Sequence, residues 1–225
     1  MTYTIHQQYR RMLGFAHPDL MRLMKYEGVT LFVDGTFKVT PRPFKQTLIW
    51  IQVQCNQQWA PSAVLCNFEA ALQQGVRGYF PSAFIVGCLF HWEQALRRKT
   101  ISLGIPADQI SLAMKPGSLD TLTLVPEDLI LCKAVPYVVK RLYAKLDIRG
   151  VKTKWDKFWT YFKNTWTILY KSSFWNISAM VEAHASLVNR TNNPLEAYNR
   201  VLATRFGTTH PPLLSFINEI TVESV

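Results

Sequence analysis

The sequence predicts an α/β fold: a mixed sheet carried by residues 29–99, followed by a long helical stretch. Three observations predict it. Short apolar runs alternate with helix-like segments over 29–99, the pattern of a sheet with covering helices. Several of these runs end on a polar residue, a glycine or a proline, as strands do at turns. From 106 to 183 such runs give way to basic and aromatic residues at helical spacing. The chain has 225 residues and 48% hydrophobic content, enough apolar material for one sizeable domain.

Taken in order, residues 1–27 read as a helix, with Leu20, Met21, Leu23 and Met24 on its apolar face and basic residues on the other. Residues 29–39 read as a strand, stopped by Pro41 and Pro43. The run QTLIWIQVQ at 46–54 is the clearest strand, β-branched and partly alternating. A short strand follows at 63–66. A helix over 68–75 is expected to stop at Gly75. After the turn at Pro81 comes a strand at 83–87, then a helix over 91–99 that ends before Gly104 and Pro106. Trp155, Phe158, Trp159, Phe162, Trp166 and Leu169 recur at helical spacing. Such a stripe packs on its own core or, if exposed, stacks on nucleic-acid bases. A further helix begins near Asn193-Pro194, where proline is tolerated in the first turn. His210-Pro211-Pro212 breaks it, and a last short helix is expected over 213–220. The expected organisation is therefore a helical segment at 1–28, the first part of the core at 29–99, a helical basic and aromatic insertion at 100–186, and completing helices at 187–225.

Charge narrows the partner. Lys and Arg number 25 against 15 Asp and Glu, a net charge of +10. Between 133 and 171 there are ten Lys/Arg and two Asp/Glu. This balance favours an acidic partner, with nucleic acid first. No membrane partner is expected, because no apolar run approaches about 18 residues. The four cysteines, Cys55, Cys66, Cys88 and Cys132, sit in mostly apolar surroundings, which points to a reducing compartment, the nucleus or cytosol.

The chemistry concentrates in three segments. LFVDGTFK at 31–38 carries Asp34 at the end of an apolar run. An acid there is costly to bury unless it is paired or holds a metal. VLCNFEAA at 64–71 ends its apolar run on Asn67, and RTNNPLE at 190–196 places Glu196 in the first turns of a helix. Three such stations resemble the acid triad of a two-metal phosphodiester site, in which hard carboxylate oxygens hold Mg²⁺ or Mn²⁺ and the paired ions activate the attacking oxygen and stabilise the leaving one. Each station also has a plainer reading. Asp34 before Gly35 is a turn-forming pair, Glu196 suits a helix N-terminus by its charge, and Asn67 suits a helix N-cap.

Four segments carry a family resemblance: LFVDGTFKVTPRPFKQ at 31–46, VLCNFEAAL at 64–72, FPSAFIVGCLFHWEQALRRK at 80–99 and LVNRTNNPLEAYNRVL at 187–202. In this order they resemble the Mutator-like element (MULE) transposases, in a style similar to oomycete copies. The resemblance implies a ribonuclease-H-like mixed sheet with a helical insertion before the last acid, and metal-dependent DNA cleavage and strand transfer. It implies Asp34 and Glu196 as catalytic, metal-holding acids, with Mg²⁺ or Mn²⁺ as cofactor and DNA as partner. Self-association into a homo-oligomer is left open.

Two departures from the family pattern imply a degenerate, inactive copy. The family has an aspartate where this chain has Asn67, and an amide offers a metal a neutral oxygen without charge. Glu69, two residues on, is expected to point off a different helix face. Only about a dozen residues separate the 46–54 strand from Asn67, where the family places a further strand and a long helix. The sheet is thus expected to be shortened, with 46–54 an exposed edge. A degenerate element or a mispredicted intron gives the same pattern. The family's N-terminal zinc-finger region is also not expected here. The alternative is a non-catalytic, transposase-derived DNA-binding or interaction remnant.

Cys88 and His91 form a C-x-x-H pair. Zinc in a structural site takes four ligands, so Cys132 and His184 would have to be gathered beside them. The plainer reading is packing; DNA contact is a third. A Cys/His hydrolase is disfavoured, since no third orienting group accompanies the pair. Arg97, Arg98 and Lys99, and Lys152, Lys154 and Lys157, form either solvated faces or phosphate contacts.

Overall fold

Two short strands set side by side organise the N-terminal part of the chain. The computed structural model describes residues 2–5, 8–11, 18–33, 55, 59–146, 149–182, 193–206, 212, 214–215 and 218. It is a mixed α/β protein with a small three-stranded parallel sheet and mostly helices. The chain folds as two compact units, Met1–Ile85 with Asn192–Val225, and Val86–Thr191.

In the first unit, β1 (Thr2–Ile5) and β2 (Gln8–Arg11) form an antiparallel pair. The short helix α1 follows (Pro18–Leu23). The helix expected over 1–27 is therefore corrected: its first part is strand. Thr2-Tyr3-Thr4-Ile5 is β-branched and aromatic, and that preference prevails over the apolar spacing read from Leu20 to Met24.

Strand β3 (Thr30–Val33) lies parallel to β4 (Ala63–Cys66), in a register running from Thr30↔Ala63 to Val33↔Cys66. Strand β5 (Phe84–Gly87) completes the order β3-β4-β5. Its start is fixed by the Phe84 N–H, which donates to the Ser62 carbonyl at 2.9 Å. All four residues of β4 are buried. Successive side chains face opposite ways, so both faces of this strand are covered, as a parallel sheet requires. The expected strands over 34–39 and 46–54 lie outside the described residues. None of the described residues between 55 and 62 is in a strand.

Helix α2 (Ala70–Tyr79) links β4 to β5. It runs through Gly75 rather than stopping there, which corrects the expected end. A glycine inside a helix costs about 1 kcal/mol against alanine. Burial of Leu72 and Val76 offsets this, at roughly 1.5–3 kcal/mol per side chain. Beyond the helix end, Phe80 packs edge-on against Trp59, with ring centroids 4.8 Å apart.

The second unit is helical. Helices α3 (Leu89–Ser102) and α4 (Ala107–Ala113) lead through short 3₁₀ turns to a π-helical stretch, Ile130–Ala134, and α5 (Val135–Tyr143). Helix α6 (Lys152–Phe162) passes directly into a second π-helical stretch, Lys163–Leu169. A short α7 (Ser178–Glu182) follows. Trp159 is half-buried, while Trp155, Phe158, Phe162 and Trp166 are all buried, so these four rings of the stripe are core. Leu169 departs from it, at 72% exposed. The wider π turn shifts the phase of the helix, so spacing that would turn Leu169 inward on an α-helix turns it out. Trp92 of α3 stacks on Trp175, with centroids 5.5 Å apart and planes at 20°, and meets Phe162 and Trp166 edge-on. Asn176 is buried beside this cluster with its polar groups used. Its amide N–H donates to the carbonyls of Leu122 and Val125, and its oxygen accepts from Ser178.

The chain returns to the first unit with α8 (Asn193–Phe206). The expected last helix falls mostly outside the described residues; 214, 215 and 218 are helical.

Candidate functional site

Strands β3 and β4 end side by side, each one residue before one of the first two stations in the chain. Val33 and Cys66 are paired at the C-terminal ends of adjacent parallel strands. Asp34 and Asn67 are the next residues along the chain. The C-terminal ends of parallel strands are where α/β sheets place their ligands. Asp34 itself lies outside the described residues. Glu196 falls in the first turn of α8, two residues after Pro194, and its side chain also lies outside the described set.

Asn67 is described, and its chemistry is local. It is half-buried, and its Oδ1 accepts the Glu69 N–H at 3.1 Å. This is the two-residue side-chain turn that Asn and Asp both make. It is not a helix N-cap. The N-cap position belongs to Glu69, whose backbone is extended and whose carbonyl accepts the first helical bond from Gln73. Glu69 thus precedes α2, which corrects the expectation that it points off a helix face. A divalent centre of the kind the resemblance implies needs negative oxygen at this station. Asn67 offers a neutral oxygen that also closes this turn, and it is the one station of the three whose side chain is described.

Cys88 and His91 belong to the second unit. Cys88 is fully buried at the N-cap of α3, and His91 is half-buried, with Phe90 edge-on at 5.8 Å. Cys132 is exposed, and its thiol points to the Asp128 carbonyl. His184 lies outside the described residues. Among the described residues, no three His, Cys, Asp or Glu side chains come together to hold a metal.

The basic residues divide by what holds them. Arg98 is bonded to Gln94 one turn back, and Arg97 is exposed. The Lys99 ammonium sits over the Tyr161 ring, 5.0 Å from its centroid. Lys152 pairs with Asp156 at 3.0 Å, both side chains being largely in solvent, where such a pair is worth little. Lys154 is a tether: its Nζ donates to the Gly104 carbonyl at 2.6 Å. Gly104 has φ of +68°, the left-handed turn that ends α3 and favours glycine, and a Cβ there would lie in contact with the same ammonium at 3.4 Å. Lys157 is exposed, and among the described residues no acid pairs with it. The partner that sequence reasoning missed is Gly104. Its place between a helix and Pro106 marks a turn, but nothing local to it signals a lysine 50 residues away.

Among the described residues, no helix is long and apolar enough to cross a membrane. No protein-family model, curated protein or solved structure matches the chain.

Proposed function

We propose that this chain is a MULE-type transposase-derived domain with a ribonuclease-H-like core, which binds DNA through its basic surface and does not cut it. One observation carries the reading. At the station where the family motif has its second aspartate, Asn67 follows the end of β4, the strand paired with the one that leads to Asp34, and its amide oxygen closes a local turn. A neutral group held this way contributes no charge toward a second divalent ion, and without that charge metal binding and phosphoryl transfer fall steeply. The net charge of +10 supports DNA as the partner, and a DNA partner together with four cysteines in mostly apolar surroundings supports the nucleus as the place of action.

The test is a nicking assay on supercoiled plasmid with Mg²⁺ or Mn²⁺, run beside a fluorescence measurement of duplex binding. The unaltered chain is expected to bind duplex in a salt-sensitive way and leave the plasmid intact. Strong Mg²⁺-dependent nicking by the unaltered chain, lost in Asp34→Ala, overturns the inactive reading. Absence of duplex binding at low salt overturns the DNA reading.

A further inference from the structure

The second unit holds a cleft that none of the sites above uses. Its volume is about 130 Å³, and three cations line it: Lys115, Arg141 and Lys145. No acid is among its lining residues. Val138 and Leu142, both buried, form its apolar floor. Ser118, Thr121 and Tyr137 add hydroxyls.

Two features prepare it for an anion. The Arg141 guanidinium is held across the Tyr137 ring, 5.6 Å from the centroid, and donates to the Tyr137 hydroxyl at 3.4 Å. That arrangement limits the wandering of a long side chain, and it leaves the phenolic proton to be donated elsewhere. The loop facing it is held in place from within. Asp120 accepts the N–H groups of Gly117 and Ser118 at 3.1 and 2.8 Å, so its carboxylate is engaged with its own loop. Gly117 has φ of +79°, and a Cβ there would meet nothing within 4 Å, so that side of the loop is open. Among the described residues, no acid pairs with Lys115, Arg141 or Lys145.

We propose that this cleft binds a single phosphate group, with Arg141 giving paired N–H donors, Lys115 and Lys145 giving point charge, and Tyr137 a hydroxyl donor. An arginine fork matches tetrahedral oxyanions. The cleft's volume of about 130 Å³ is ample for one phosphate group, which needs only a few water-sized positions. The phosphate is either free or one link of a nucleic-acid backbone. The cleft shares no residue with the acid-triad region, and its binding does not depend on that region.

Lysine acetylation of the full chain, mapped by mass spectrometry, tests it in three arms: no addition, millimolar inorganic phosphate, and a short DNA duplex of mixed sequence. Lys115 and Lys145 are expected to be protected while the exposed Lys133 and Lys171 are not. Protection by duplex alone assigns a backbone phosphate, and protection by inorganic phosphate alone assigns a free one. Protection in both arms assigns a site that takes phosphate from either source. In parallel, Arg141→Gln, at an exposed position, is expected to weaken the protecting ligand roughly tenfold, the loss of a charged hydrogen bond. No protection of Lys115 and Lys145 in either arm overturns the proposal, as does protection that Arg141→Gln leaves unchanged. Duplex protection of Lys157 without Lys115 or Lys145 also overturns it, while leaving DNA binding intact.

Discussion

Asn67 makes its clearest contribution as a turn acceptor, and that contribution separates two substitutions. Asn67→Asp keeps an oxygen for the Glu69 N–H, and unfolding in denaturant is expected to shift by less than about 0.5 kcal/mol. Asn67→Ala removes the acceptor and is expected to cost about 1 kcal/mol, the usual worth of such a bond. Calorimetry with Mn²⁺ is expected to show weak binding by the unaltered chain and a gain in Asn67→Asp; equal binding by both removes the charge argument. Titration gives a second expectation. Burial pushes the Tyr143 phenol up, the Asp156 carboxylate pushes it further, and the Trp159 indole opposes them. Burial likewise raises Tyr161, with Trp166 opposing and Tyr170 adding to the rise. A phenol held neutral by the fold stabilises fully below its unfolded value of about 10, and that stability is lost as pH rises through the folded value. Stability measured by denaturant is therefore expected to fall above about pH 10, less steeply in Tyr143→Phe.

At the scale of elements, packing decides where local pattern is silent. Phe162 is fully buried, and Phe162→Ala is expected to cost about 3–5 kcal/mol. Trp155 donates its indole N–H to the buried Gln109 side chain at 2.9 Å, so Trp155→Phe is expected to cost about 1–2 kcal/mol although much of the ring volume is kept. Lys154→Met should lower stability by about 1 kcal/mol through loss of the Gly104 tether, with little effect on DNA binding. Lys157→Glu should do the reverse, weakening duplex binding and reducing the salt slope by about 1 or more. Legibility in the sequence follows the same division. Strand β4 and helix α8 are readable, because an apolar run between turn formers and an Asn-Pro start are local signals. The hairpin at Thr2–Arg11 is not, since four-residue strands leave too short a pattern to outweigh a nearby amphipathic one. Gly75 misleads because burial on either side of it sustains the helix. The Lys154 tether and the lining of the basic cleft join residues far apart in the chain, and no local pattern encodes them.

Over the whole molecule, the net charge of +10 sets the expected binding behaviour. Duplex affinity should fall linearly in log affinity against log salt, with little preference among sequences. A salt-independent affinity would point to apolar or base-specific contacts instead. The two units differ in what they bury. Among the described residues, the first buries short strands and the apolar face of α2, the second fused aromatic helices. That second core has an optical consequence. Five of the chain's seven tryptophans lie between 86 and 191, and two of them, Trp92 and Trp175, are stacked nearly parallel. Indoles this close couple as chromophores, so circular dichroism in the strong far-ultraviolet indole band should carry an exciton signature belonging to Val86–Thr191. That signature would then follow the melting of one unit, while amide absorption, and emission that also draws on Trp50 and Trp59, follow both, and a single heating experiment would reveal whether they come apart together.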